Sequence, residues 1–249
     1  MPAPSRISEL GRWRIHHFEE LDSTNRYLLD QARGGAPDGL VAVADVQTAG
    51  RGRRDRRWEA PPGSSMLVSV LLRSPSDAGG ASAGRAVMAA GVALTRAVEQ
   101  VAGVSAALKW PNDLVVGDRK LAGLLAERDG EALVVGSGCN VNWESFPPEL
   151  AASATACNFE AGRPVDRDAL LVAYLSALAD ALADPPAVLD AYRDRLATLG
   201  RRVRVEQAGA VSVEGEATAV GDDGALVVRD DTGLQHTITA ADVVHLCPA

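Results

Sequence analysis

The chain has 249 residues, 47% of them apolar, enough to bury a substantial core in one large domain or in a medium domain with a small companion. Its 25 Lys and Arg against 33 Asp and Glu leave a net charge of −8, which argues against a general nucleic-acid binder but permits a local basic patch. Three scattered cysteines (Cys139, Cys157, Cys247), four histidines and no Cys-x-x-Cys pair argue against a disulfide framework and a structural zinc site. The first residues lack the basic-then-apolar layout of a signal peptide, and the most apolar stretch, 169–179, is short for a membrane span. The expectation is a soluble cytoplasmic protein.

In chain order, the hydroxyls of Ser23 and Thr24 suit an N-cap before a helix beginning at Asn25. Apolar runs predict strands at about 40–46 and 66–72, with a Gly/Arg loop at 49–57 between them. An Ala-rich helix is expected over 82–102. Runs at 104–109, 113–117, 120–127 and 131–137, parted by turn residues, read as an antiparallel meander. Apolar spacing predicts helices over 166–183 and 187–199. After Gly200 the period changes to two: 202–206, 211–220, 225–229 and 236–244 read as short strands of a small barrel, giving domains 1–199 and 200–249.

Three segments carry chemistry. Gly50-Arg51-Gly52-Arg53-Arg54-Asp55-Arg56-Arg57-Trp58 holds five arginines and one aspartate inside an acidic chain. Its glycines permit close backbone approach, its guanidinium forks match phosphate oxygens, and Trp58 offers a flat face; a solvated basic arm is the alternative. Lys109-Trp110-Pro111-Asn112-Asp113, followed by Lys120-Leu121-Ala122-Gly123, puts an ammonium, an amide and a carboxylate on a rigid turn, either a metal-nucleotide site or a capped hairpin corner. Gly123 on a strand signals close approach of a ligand, or a bulge. Lys109 and Lys120 are the only lysines among the 25 cations, marking places where a compact ammonium is needed. Gly136-Ser137-Gly138-Cys139-Asn140 ends an apolar run, with Cys139 read as a small buried residue rather than a nucleophile. His16 and His17 read as surface residues, and the absence of a Gly-x-Ser-x-Gly elbow disfavours a serine hydrolase.

Taken in order, Ser23-Thr24-Asn25, the stretch from Gln47 through Gly50, Arg51, Gly52 and Arg53 to Arg54, Lys109 to Asp113, Lys120 to Gly123, and Gly136-x-Gly-x-Asn140 resemble the biotin protein ligases over essentially the whole chain. The resemblance implies an α+β fold: a class II aminoacyl-tRNA synthetase-like mixed or antiparallel sheet flanked by helices, plus a C-terminal SH3-like β-barrel. It implies that biotin and MgATP give biotinyl-5′-AMP, which then acylates a lysine of the biotin carboxyl carrier domain of an acyl-CoA carboxylase. By the same resemblance Ser23, Thr24, Asn25, Gln47, Gly50, Arg51, Gly52, Arg53, Lys120 and Gly123 surround biotin. Lys120 and Arg53 are the catalytic pair, Trp58, Lys109, Asn112 and Asn140 surround ATP, and Asp113 lies near the magnesium ion (Mg2+). Only 22 residues precede Ser23, so no DNA-binding domain and no DNA or membrane partner are expected. The stretch Glu214–Val220 lacks an arginine that some relatives place near the nucleotide. A non-catalytic biotin sensor and a lipoate–protein ligase are the alternatives; an RNA-binding role for the Arg loop is disfavoured by the acidic charge.

Overall fold

The computed structural model describes residues 2–54, 56–73, 81–206, 212–239 and 241–246; Asp55, Val211 and Cys247 lie outside this set. The chain opens with a hairpin of β1 (Arg6–Leu10) and β2 (Trp13–Leu21), then α1 (Thr24–Arg33), β3 (Leu40–Gln47), β4 (Ser65–Arg73) and the long α2 (Ala81–Ala102). The meander follows as β5 (Ala107–Lys109), β6 (Asp113–Val116), β7 (Arg119–Asp129) and β8 (Ala132–Asn140). Helices α3 (Cys157–Ala161), α4 (Arg167–Ala183) and α5 (Pro185–Arg195) lead to β9 (Arg202–Glu206), β10 (Val213–Val220), β11 (Leu226–Arg229), β12 (Gln235–Ile238) and β13 (Asp242–His245).

The result is a mixed α/β fold with one large sheet and a separate C-terminal antiparallel sheet. The large sheet has the order β1-β2-β3-β4-β8-β7-β6-β5 and is antiparallel except where β2 meets β3. The small one has the order β12-β11-β10-β9-β13. Trp110 ties the two together: its Nε1 donates to the Gly224 carbonyl at 2.8 Å, and its backbone N–H to Thr198 Oγ1 at 3.0 Å. Thr198 Oγ1 in turn meets His245 Nε2 at 3.1 Å.

Strand alternation decides what each face of the large sheet carries. Val41 and Val43 of β3, Met66, Val68 and Val70 of β4, and Leu133, Val135 and Cys139 of β8 face the core beneath α2 and α4. Fully burying each such side chain stabilises the fold by roughly 1.5–3 kcal/mol. The intervening residues Leu40, Ala42, Ala44, Leu71, Ala132 and Val134 face α1. α1 is only ten residues long, so this second face is covered over part of its length. Where α1 begins, the same alternation continues as Gly136 and Gly138 on β8 and Gly123, Leu125 and Glu127 on β7. Gly123, Leu125, Gly136 and Gly138 of that strip form the floor of a cavity.

Several expectations are corrected. The first two strands escape the sequence reading, although Gly11, at φ 55°, marks their turn. His16 and His17 are half-buried rather than on the surface: His16 Nδ1 lies 2.8 Å from Tyr27 Oη, and His17 Nε2 lies 2.9 Å from Ser8 Oγ. α5 runs over 185–195, not 187–199, because Asp184 caps it and Pro185 and Pro186 pre-set its first turn. It stops at Leu196, where Ala197 N–H turns to the Leu108 carbonyl on β5. Five-residue α3 has no side-chain cap and left no signal in the sequence. No single helix among the described residues is long and apolar enough to cross a membrane.

Candidate active site

Ser23 caps α1, and the turn into the helix sets Thr24 and Asn25 over the large sheet. Ser69 on β4, Gly136 on β8 and Leu125 on β7 lie side by side in register, and Asn25 stands on this row. Its Oδ1 accepts from Ser69 Oγ at 2.6 Å, and its Nδ2 donates to Glu127 Oε2 at 2.8 Å and to the Leu125 carbonyl at 3.3 Å. A Cβ on Gly136 would sit 2.2 Å from Asn25 Oδ1, so only glycine fits here. Thr24 donates from its backbone N–H at 2.8 Å and from Oγ1 at 3.1 Å to Gln47 Oε1, completing a wall of neutral donors and acceptors.

Two residues along β8 the surroundings become cationic. Gly138 and Gly123 face each other in register, and the Trp58 indole lies on them: a Cβ on Gly138 would fall 2.6 Å from Trp58 Cε2. Lys120 Nζ lies 5.6 Å from the centre of the Trp58 ring and 2.7 Å from Asp113 Oδ1. Asn112 is tied to β7 through Nδ2 to the Leu124 carbonyl at 2.6 Å, and its Oδ1 accepts from Arg53 Nη1 at 3.4 Å.

The Arg loop closes the site. It folds on itself through Trp58 N–H to the Gly50 carbonyl at 3.1 Å and Gly52 N–H to the Arg56 carbonyl at 2.8 Å, with Arg54 in the left-handed region at φ 52°. Arg51 pairs with Glu127 Oε1 at 2.8 Å. Arg54 and Arg56 reach Asp242 Oδ2 at 3.1 and 2.5 Å, and Arg53 comes within 3.8 Å of Asp242 Oδ1 while donating to the Ala241 carbonyl at 3.1 Å. Burial pulls the Arg53 guanidinium below its ordinary value, and Asp242 works against that shift. One carboxylate from the C-terminal sheet thus faces three arginines from the loop.

Most of these groups line one cavity of about 310 Å³, though Ser69, Glu127 and Arg54 are not part of its lining. Of the sequence-predicted residues, Ser23, Thr24, Asn25, Gln47, Arg51, Gly52, Arg53, Trp58, Lys109, Asn112, Asp113, Lys120 and Gly123 line it. Gly50 and Asn140 do not. Gly50 packs against the Trp58 carbonyl, and Asn140 is buried, donating to the Thr155 carbonyl at 3.0 Å. Cys139 is fully buried beside Cys157; that thiol and burial hold Cys139 well above its ordinary value, as befits a core residue and not a nucleophile. Glu127, Ser69 and Asp242 were missed by the sequence reading. Glu127 carries a faint signal, lying on the Gly123 face of one strand, whereas Ser69 and Asp242 carry none. No cluster of three or more His, Cys, Asp or Glu side chains able to hold a metal exists among the described residues.

Comparison with known proteins accords with this arrangement. The profile of the Biotin/lipoate A/B protein ligase family matches residues 17–143, and that of the Biotin protein ligase C terminal domain matches 198–246. The chain belongs to this family. It is 38% identical over 244 residues to the biotin–(acetyl-CoA-carboxylase) ligase of Mycobacterium tuberculosis, covering 94% of this chain and 90% of that one. It is 35% identical over 165 residues to the bifunctional ligase/repressor BirA of Bacillus subtilis, a match spanning 64% of this chain and half of that relative's length. The fold superposes on the biotin protein ligase of Aquifex aeolicus in complex with biotin and ATP with a TM-score of 0.83 at 24% identity, covering 93% of this chain and 99% of that one.

Proposed function

We propose that this chain is an ATP-dependent biotin protein ligase acting in the cytoplasm. The observation that carries the reading is the pairing, in one cavity, of a neutral donor–acceptor wall with a cationic end across a strip of glycines. The wall suits a cyclic urea, which offers both N–H and C=O groups. Lys120, Lys109 and Arg53 suit a carboxylate meeting a triphosphate. In the first step a biotin carboxylate oxygen attacks the α-phosphorus and the bond to pyrophosphate breaks, giving biotinyl-5′-AMP. In the second, a carrier lysine amine attacks the acyl carbon, the bond to AMP breaks, and the amine proton is released. The negative charge that grows in the first step lies among Lys120 and Arg53, which offset the repulsion between the two anions.

Mg2+ enters this reading with ATP. Asp113, the carboxylate beside Lys120, is the candidate ligand, and a single carboxylate accords with an ion that keeps its waters and phosphate oxygens. The ion would neutralise phosphate charge. The catalytic domain is taken as 1–199, with a class II synthetase-like sheet, and 200–249 as an SH3-like barrel; the five short strands in the order β12-β11-β10-β9-β13 support this division. The acceptor is taken to be the carrier domain of an acyl-CoA carboxylase, as the name of the Mycobacterium tuberculosis relative indicates for that protein. Lipoate, whose ring has neither N–H nor C=O, would leave the wall unmatched. Pyrophosphate release with ATP, Mg2+ and either biotin or lipoate tests the proposal: release with biotin alone is expected, and release with lipoate alone or with neither acid would overturn it.

A further inference from the structure

Asp242 puts a carboxylate into a cavity whose cations suit anions, and neither step of the reaction above uses it. It stands at the start of β13 in the C-terminal sheet and lines the cavity together with Arg53 and Arg56. Arg56 Nη2 reaches its Oδ2 at 2.5 Å and Arg54 Nη1 at 3.1 Å, while Arg53 Nη1 lies 3.8 Å from Oδ1. Arg53 links this cluster to the reacting end, since it also donates to Asn112 Oδ1 at 3.4 Å, next to the Lys120–Asp113 pair. Glu206, the register neighbour of Asp242 on β9, lines the same cavity, so the C-terminal sheet presents two acidic residues to it.

The two sides of this cluster are held differently. The C-terminal sheet is fixed to the rest of the fold: Trp110 Nε1 donates to the Gly224 carbonyl at 2.8 Å, and Arg193 on α5 donates through Nη2 to the Val220 carbonyl at 3.0 Å. The arginines extend instead from a loop that begins with Gly50 and Gly52. The Arg56 side chain is 70% exposed, against 18% for Asp242. The carboxylate is the fixed point, and the guanidiniums are the groups free to leave it for another anion.

We infer, resting on the biotin ligase reading and deepening it, that Asp242 is a positioning residue that expels pyrophosphate after the first step. Its carboxylate competes with the departing phosphates for Arg53, Arg54 and Arg56 and returns the loop to the C-terminal sheet. Guanidinium forks that pair with a carboxylate pair equally with phosphate oxygens, so the two anions exclude one another. The competition weakens ATP and pyrophosphate alike. ATP keeps the contacts of its nucleoside, whereas pyrophosphate is held through its charge alone, so the same penalty matters most for the product. Expulsion also protects the intermediate. Bound pyrophosphate reverses the step when one of its oxygens attacks the α-phosphorus of biotinyl-5′-AMP: the bond to the biotin carboxylate breaks, and ATP and biotin re-form.

The test is the biotin-dependent exchange of labelled pyrophosphate into ATP by the full chain and by two variants. Asp242→Asn keeps the size and an acceptor oxygen and removes the charge; Asp242→Glu keeps the charge. In Asp242→Asn the pyrophosphate concentration for half-maximal exchange should fall about three- to tenfold, the scale of a partly exposed counter-ion shared by three cations. That gain should shrink as salt is raised from about 0.05 M to about 0.5 M. The KM for biotin should move less than about twofold, and Asp242→Glu should exchange within about twofold of wild type. A merely structural role would loosen the loop, weaken pyrophosphate and let biotinyl-5′-AMP escape. An unchanged or higher half-maximal concentration in Asp242→Asn therefore overturns the inference and leaves the biotin reading standing, as does an Asp242→Glu that behaves like Asp242→Asn. If the wild type neither releases nor exchanges pyrophosphate with biotin, the biotin reading falls and this inference with it.

Discussion

Gly136→Ala is the smallest change that probes the floor of the site. An added Cβ would lie 2.2 Å from Asn25 Oδ1, 3.0 Å from its Cγ and 3.2 Å from Ser69 Oγ. Restoring ordinary contact requires Asn25 to retreat by about 1 Å. Its bonds to Ser69 at 2.6 Å and to Glu127 at 2.8 Å cannot both survive that movement. A neutral bond contributes about 1 kcal/mol and a bond to a charged group roughly 1.5–3 kcal/mol, so the two together set a scale of roughly 2–4 kcal/mol. Equilibrium urea unfolding should register most of that loss, and calorimetric titration with biotin at least a tenfold weaker affinity, about 1.4 kcal/mol. Gly123→Ala supplies the control: its Cβ meets the flexible end of Lys120 at 3.1 Å and the Trp58 ring at 3.1 Å, both of which can move. Stability within about 0.5 kcal/mol of wild type and unchanged biotin affinity for Gly136→Ala would refute the account of Asn25 standing on that glycine.

Three other predictions follow from the cationic end and from the seam between the sheets. Lys120→Ala should abolish pyrophosphate release while moving the unfolding free energy by no more than about 1 kcal/mol, since its pair with Asp113 is partly exposed; a near-normal rate would remove Lys120 from the reaction. Asp242→Asn frees three loop arginines from their counter-ion and should tighten pyrophosphate binding about three- to tenfold, with a steeper dependence on salt; weaker binding would mean that Asp242 shapes the loop instead of competing with phosphate. Burial, with the charges of Lys109 and Arg201, pulls His245 down to about 4, so the fold favours its neutral form. That contribution is complete above the ordinary value of 6.5 and is lost as pH falls from there toward 4. His16 and His17 shift in the same direction. Urea midpoints measured at about pH 7.5 and about pH 5 should therefore fall, and fall less in His245→Asn; an equal drop in that variant would exclude His245 as a source.

Elements with a strong local pattern were legible in the sequence. The Ser23 cap, the Ala-rich α2 and the meander from β5 to β8 appear close to where periodicity and turn residues place them. The N-terminal hairpin was not read from the sequence, although Trp13 and Ile15 alternate with Arg14 along its second strand. The motif residues were found because glycine, lysine and arginine in those combinations carry chemistry of their own. What sequence could not reveal is which carboxylates answer them. Glu127 is 76 positions from Arg51, and Asp242 is 188 from Arg54, so their pairing exists only after both sheets have formed. Ser69 looks like any polar residue in a strand until register sets it beside Gly136.

The placement of the two lysines bears on which nucleophiles a reactive acyl phosphate would meet. Every other cation in the chain is a guanidinium, a poor nucleophile toward a mixed anhydride. Apart from the N-terminal amine, the chain offers only Lys109 and Lys120, both lining the cavity, and the Lys120 ammonium is held by Asp113. Beyond the cavity, the chain thus offers the activated acyl group no lysine amine. An intermediate that escaped the cavity would find its lysine acceptors on other proteins.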